Sequence, residues 1–133
     1  MRASKWPVAS VDSDFDPYLT GHPATSAALF RRFIDMARAC GPVTFELQNE
    51  PVVLCGTRRI FAATTVTDRG LTGHLNLPRQ LEDRRIRKVE PLTRRLFMNG
   101  FVVTSSADLD ETFAQWLREA WDVGAGAHLS RPV

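Results

Sequence analysis

The chain has little cysteine, no long apolar run and no strong charge of either sign, and each lack removes a class of protein. Two cysteines, Cys40 and Cys55, make neither a disulfide framework nor a metal-ligand pattern. They are read as small buried hydrophobes, one at a helix end and one on a strand. No window approaches the roughly 18 consecutive apolar residues of a membrane span, so no membrane partner is expected. Pro7, Asp12, Asp14 and Asp16 break up any signal-peptide core, and the expected compartment is the cytoplasm. A net charge of +2 demands no polyanion for the chain as a whole. Also missing are a glycine-rich phosphate loop, a Gly-x-Ser-x-Gly elbow and a His-Glu-x-x-His pair. No cofactor is implied, no metal ligands are assigned, and no catalytic residue is named.

What remains is an ordinary soluble composition, 44% hydrophobic and 24% charged over 133 residues, enough for one domain. Residues 1–24 carry Pro7, Pro17, Pro23 and Gly21 without apolar periodicity, and read as an irregular arm pinned to the domain by Trp6, Phe15, Tyr18 and Leu19. The domain itself is expected over 25–126, with 127–133 as a loose tail. Leu29, Phe30, Phe33, Ala37 and Cys40 recur at helical spacing from about Ser26 to Cys40, with Thr25 as expected N-cap and Gly41-Pro42 as the stop.

Strands follow. Val43, Phe45 and Leu47 alternate with polar residues, and Val52–Cys55 is a short apolar run. In Arg59–Thr67, Ile60, Ala62, Thr64 and Val66 are expected on one side and Phe61 on the other. Asp68-Arg69-Gly70 reads as a hairpin turn. Beyond it Leu71, Leu75 and Leu77 face one way and Thr72, His74 and Asn76 the other. Pro78–Leu92 reads as a short turn and an extended piece. Asn99-Gly100 either splits Arg94–Thr104 into a hairpin or marks a bulge in one strand, the bulge being preferred.

The last helix is the clearest element. Ser105 and Asp108 have capping-box spacing, Asp110 and Glu111 suit a helix N-terminus, and Leu109, Phe113, Trp116, Leu117, Ala120 and Trp121 form a wide apolar face ended by Gly124. The fold class is therefore α+β: an antiparallel sheet of about five strands flanked by an N-terminal and a C-terminal helix, a two-layer sandwich.

Two polar features are candidates for function. Arg79, Arg84, Arg85, Arg87, Lys88, Arg94 and Arg95 lie close together in sequence, interleaved with Glu82, Asp83 and Glu90. They form either a surface for an anionic ligand or nucleic acid or a solvated, self-paired run. His74, with Asn76 beside it and Arg59 on the preceding strand, could floor a pocket on a polar strand face. Trp116 and Trp121, if left uncovered, would support a homodimer through the last helix.

Several stretches together resemble a known family. Pro17-Tyr18-Leu19-Thr20-Gly21-His22-Pro23, Leu29-Phe30-Arg31-Arg32-Phe33 and Cys40-Gly41-Pro42-Val43 open the match. Arg58 to Ala62, Leu71 to Arg79, Arg87 to Glu90, and Asp108 to Asp110 with Trp116 to Trp121 continue it. From about Pro17 to Gly124 the chain resembles bacterial domain-of-unknown-function family 5655. The resemblance implies an α+β domain of the YdhG-like grouping, whose wider members include frataxin-like iron chaperones, and implies no reaction. An iron carrier, with Asp108, Asp110, Glu111, Glu119 and Asp122 as acidic surface, is thus an alternative, as is a small enzyme. The chain departs from relatives in lacking cysteine at Trp6-Pro7-Val8-Ala9 and histidine at Asn99-Gly100.

Overall fold

The computed structural model describes residues 15–48 and 50–130; Trp6 and residues 131–133 lie outside them. Helices α1 (Asp16–Leu19) and α2 (Ala24–Cys40) lead into strands β1 (Thr44–Leu47), β2 (Val52–Cys55), β3 (Ile60–Thr67), β4 (Gly70–Leu77), β5 (Ile86–Pro91) and β6 (Phe97–Val103). A 3-10 turn (Ser106–Asp108), helix α3 (Glu111–Gly124) and the short α4 (Ala127–Ser130) finish the chain. The fold is α+β, with six strands where about five were expected. All neighbours are antiparallel, in the order β1-β2-β3-β4-β6-β5. Four strands thus form a meander, and β6 slots between β4 and the outlying β5.

The helices roof one face. Leu54, Ala62, Leu75 and Asn99 lie in one row across the sheet. They are buried beneath Leu29, Phe30 and Phe33 of α2 and Phe113, Leu117 and Ala120 of α3. Fully burying one such side chain is worth about 1.5–3 kcal/mol, so both helices belong to the core. Arg32 of α2 donates to the Leu109 carbonyl at 2.9 Å, tying α2 to the turn that leads into α3. The arm is pinned as expected at its described end: Phe15 and Leu19 are buried, and the Tyr18 hydroxyl accepts from the Val66 N–H and donates to the Glu50 carbonyl.

Local details depart from the sequence reading at identifiable places. Helix α2 starts at Ala24 behind Pro23, whose fixed φ suits a helix start, so Thr25 lies inside the helix. Gly41 ends α2 at φ 145°, and the Trp121 ring packs where its side chain would stand. The capping box of Ser105 and Asp108 is present but closes the 3-10 turn, while Asp110 caps α3 by accepting from the Phe113 N–H at 2.9 Å. Residues 127–130, expected to be loose, form α4 with His128 buried.

In β3 the strand alternation is broken. Leu54 faces Ala62 but Cys55 faces Ile60, so Phe61 is the extra residue of a bulge. Phe61 turns into the core, and Ile60, expected on the same side as Ala62, Thr64 and Val66, is 40% exposed on the open face.

Asn99-Gly100 makes no turn. Strand β6 runs straight through both residues, and the hairpin closes earlier, at Leu92–Leu96. The irregularity sits across the ladder in β5, where Arg87 is the extra residue between the Ile86–Phe101 and Lys88–Gly100 pairs. Asn99 points into the core with no exposure. It accepts from the Leu81 N–H at 2.8 Å and donates to the Arg79 carbonyl at 3.1 Å, holding the β4–β5 connection. Asn99→Ala leaves both backbone groups without a partner. A loss of about 2 kcal/mol or more is expected, read as a lower urea midpoint at unchanged slope.

Candidate functional site: the open sheet face

The face away from the helices has no roof among the described residues. Paired strands place Val53, Ala63, His74, Gly100 and Lys88 in one row across it. Gly100 contributes no side chain, so the row dips between His74 and Lys88. A depression of about 350 Å³ lies there, walled by Thr72, His74, Arg87, Lys88, Glu90 and Met98. A second, of about 460 Å³, lies on the other side of His74 and Met98, between Val53, Arg59, Ile60, Asn76 and Leu92. The β3 bulge supplies Ile60 to this wall.

His74 therefore stands between two hollows, half-buried, and its protonation is set by its neighbours. The Asn76 amide donates to the Ile60 carbonyl at 3.4 Å, which turns its oxygen toward His74. That oxygen lies 3.1 Å from His74 Nδ1, so Nδ1 carries the proton and Nε2 is left as the acceptor. Burial pushes the imidazole below its ordinary value, while the Asn76 contact opposes that shift. His74 is thus a neutral, oriented base near neutrality.

The arginine run does not share this face as one surface. Arg79 lies on the helix side, bound by both oxygens of Glu119 at 3.0 and 2.8 Å. Arg84 is exposed but pairs with Asp108 at 2.7 Å. Arg85 is enclosed, at 5% exposure. Its guanidinium meets Asp83 at 2.8 Å, Asp110 at 2.9 Å and the Asp108 carbonyl at 2.7 Å, and lies 4.6 Å from the centre of the Trp116 ring. Arg85, expected among the anion candidates, is thus a buried cation held by its own partners. Arg87 and Lys88 reach the first hollow from β5, Lys88 pairing with Glu90 at 3.3 Å. Arg94 and Arg95 are exposed at the β5–β6 hairpin, and Arg95 donates to the His128 carbonyl. Arg59, His74 and Asn76 do line one hollow together.

Two other expectations rested on surfaces that the packing arranges differently. Trp116 is buried under Arg85, and Trp121 is half-buried against Gly41 with its N–H donated to the Pro42 carbonyl. Neither tryptophan therefore offers the uncovered aromatic patch on which a homodimer was expected to rest. The acidic surface proposed for iron is dispersed: Asp108 and Asp110 hold Arg84 and Arg85, Glu119 holds Arg79, and Asp122 faces Arg118 at 3.8 Å. Among the described residues, no three His, Cys, Asp or Glu side chains gather to hold a metal ion. No helix among them is long and apolar enough to cross a membrane.

Fold and face together define a small two-layer α+β domain with one covered and one open side of an antiparallel sheet. The chain belongs to the DUF5655 family, a domain of unknown function, whose model matches residues 15–124. No curated protein and no solved structure matches it. The residues that sequence reasoning missed are Ile60 and Met98, wall residues of the hollows. Only the β3 bulge and the β4–β6 pairing bring them beside His74.

Proposed function

We propose that this domain is a non-enzymatic binding module for a small anionic ligand lying across the open sheet face. The observation that carries the reading is the pair of hollows meeting at His74, one walled by Arg87 and Lys88 and the other by Arg59. Apolar walls of Val53, Ile60, Leu92 and Met98 fit the body of such a ligand, and the cations fit its charge. Nucleic acid is the weaker form of the same idea. Arg85 is enclosed and Arg79 and Arg84 are paired, so the run offers no continuous stripe for a phosphate backbone.

The second reading, a small enzyme, is favoured by one observation: His74, held through Nδ1 by Asn76 with Nε2 left as acceptor, lines both hollows. Among the described residues, no nucleophile or second proton carrier stands at hydrogen-bond distance from that ring.

The test is a titration of the labelled protein with a panel of small carboxylates and phosphomonoesters, following the His74 ring nitrogens by NMR. We expect saturable shifts for some members, with Arg87→Ala weakening binding about tenfold, the loss of one charge-assisted contact. Single-stranded DNA and RNA at about 50 mM salt, where phosphate contacts are strong, should bind no tighter than the small anions. His74 signals that stay fixed across the whole panel would sink the binding-module reading. Turnover of a panel member, lost in His74→Gln, would replace it with the enzyme.

A further inference from the structure

Where the β2–β3 turn meets α4, arginine side chains gather without a carboxylate among the described residues. The β2–β3 turn is pinned to the end of α3, because the N–H groups of Arg58 and Arg59 both donate to the Gly124 carbonyl, at 2.9 and 3.1 Å. The chain then turns at Gly126, with φ 86°, against the Arg58 side chain. Helix α4 tucks His128 inward, to 5% exposure. From the β5–β6 hairpin Arg95 reaches the same place and donates to the His128 carbonyl at 3.1 Å. Arg59 thus meets the His128 ring, Arg95 meets its carbonyl, and Arg58 lies against the Gly126 turn beside it.

The hydrogen bonding there is fixed by what arginine can do. The Arg59 guanidinium, which only donates, lies 3.0 Å from His128 Nε2. Nε2 must accept, so Nδ1 carries the hydrogen. That Nδ1 is buried and has no partner, an arrangement that normally calls for an explanation. Burial first, then the positive charge of Arg59, Arg95 and Arg58, holds His128 below its ordinary value and keeps it neutral. The carboxylates on the neighbouring face of α3, Glu119 and Asp122, border a hollow with His128 but face Arg79 and Arg118. Among the described residues none of Arg58, Arg59 and Arg95 meets a carboxylate. Arg31, Arg79, Arg84, Arg85 and Arg118 each meet one, and what sets Arg58, Arg59 and Arg95 apart from the other arginines is that they converge on one histidine.

We propose that Arg58, Arg59 and Arg95 around His128 form a binding site for an oxyanion of the phosphate class, free or as a phosphomonoester. Three planar forks give a tetrahedral anion more donors than one residue can. His128 holds Arg59 in place from behind. Arg59 also borders the open-face hollow, so the two readings share that residue, and they are told apart by their reporters, His128 here and His74 there.

Inorganic phosphate is the probe. The chain has three histidines, His22, His74 and His128, so their ring nitrogens can be followed individually above neutrality, where neutral imidazoles prevail. Phosphate at constant ionic strength should move the His128 signals saturably, chloride should not, and a phosphomonoester such as glycerol phosphate tests whether the esterified form enters. Arg58→Ala and Arg95→Ala should each weaken the phosphate response about tenfold. Both side chains are exposed, and unchanged melting temperatures in the absence of phosphate would show that the variants fold. His128 signals that ignore phosphate, or follow chloride equally, would overturn the site. So would a response confined to His74, or one that both variants leave intact.

Discussion

Arg85→Ala should cost the domain about 3–5 kcal/mol, the range for removing one member of a buried, hydrogen-bonded ion set. The substitution strips Asp83 and Asp110 of their cation, leaves the Asp108 carbonyl without its donor, and uncovers the Trp116 face. A shift of the urea midpoint measures the loss, and a fall below about 1 kcal/mol would place Arg85 in the class of surface pairs. The same network fixes the acid limb. Hydrogen bonds from the Arg85 side chain and backbone hold Asp83 at about 2. Asp110 is lowered by the Phe113 N–H and then by Arg85. At Asp108 burial pulls upward, but the Thr104 N–H and Arg84 keep the net shift downward. Carboxyls depressed in the folded state contribute stability that is complete above the ordinary aspartate value. That stability is lost as the pH falls through the folded value. The wild type should therefore lose stability from about pH 4 down toward pH 2, and Arg85→Ala should flatten that slope.

Phe113→Ala should be as damaging, at about 3–5 kcal/mol. Its ring is the meeting point of both helices and the sheet, with centroids 6.1 Å from Phe33, 5.3 Å from Phe101 and 5.8 Å from Trp116. Truncation opens a hole that three rings from three elements border, and none can move in without leaving its own packing. Phe113→Leu, which keeps most of the volume, should cost about 1.5 kcal/mol or less. Comparable losses for the two variants in chemical denaturation would mean that the roof over the sheet can collapse onto the gap. The aromatic cluster would then not be what fastens α3.

Phe113 and Arg85 also mark the two ends of what the sequence discloses. Phe113, Leu117 and Ala120 recur at a helical period, so their burial could be read without coordinates, as could the Leu71, Leu75 and Leu77 side of β4. The α+β layers followed from those patterns. Arg85 carried no such mark. Its partners Asp108 and Asp110 lie more than twenty positions away, so a run of cations looked like a surface when one member was interior. Asn99-Gly100 has the composition of a turn, but pairing on both flanks keeps β6 straight and turns the amide into a buried brace. The bulge at Phe61 exchanges Ile60 and Phe61 between faces, and periodicity carries no trace of it. His74, Asn76 and Arg59 were legible as a polar face. The hollows around them were not, since Met98 and Leu92 arrive from another hairpin.

Strand β5 bears on how this domain can meet other chains. Its outward side shows Arg87, Lys88 and Glu90, its ladder is kinked where Arg87 is squeezed in, and Pro91 closes it without an N–H. At the opposite margin β1 offers only four residues. Charge, distortion and brevity are the means by which sheets refuse a foreign strand. Neither border invites lengthening by a visiting peptide or stacking into a fibril, so both margins of the sheet resist backbone zippering.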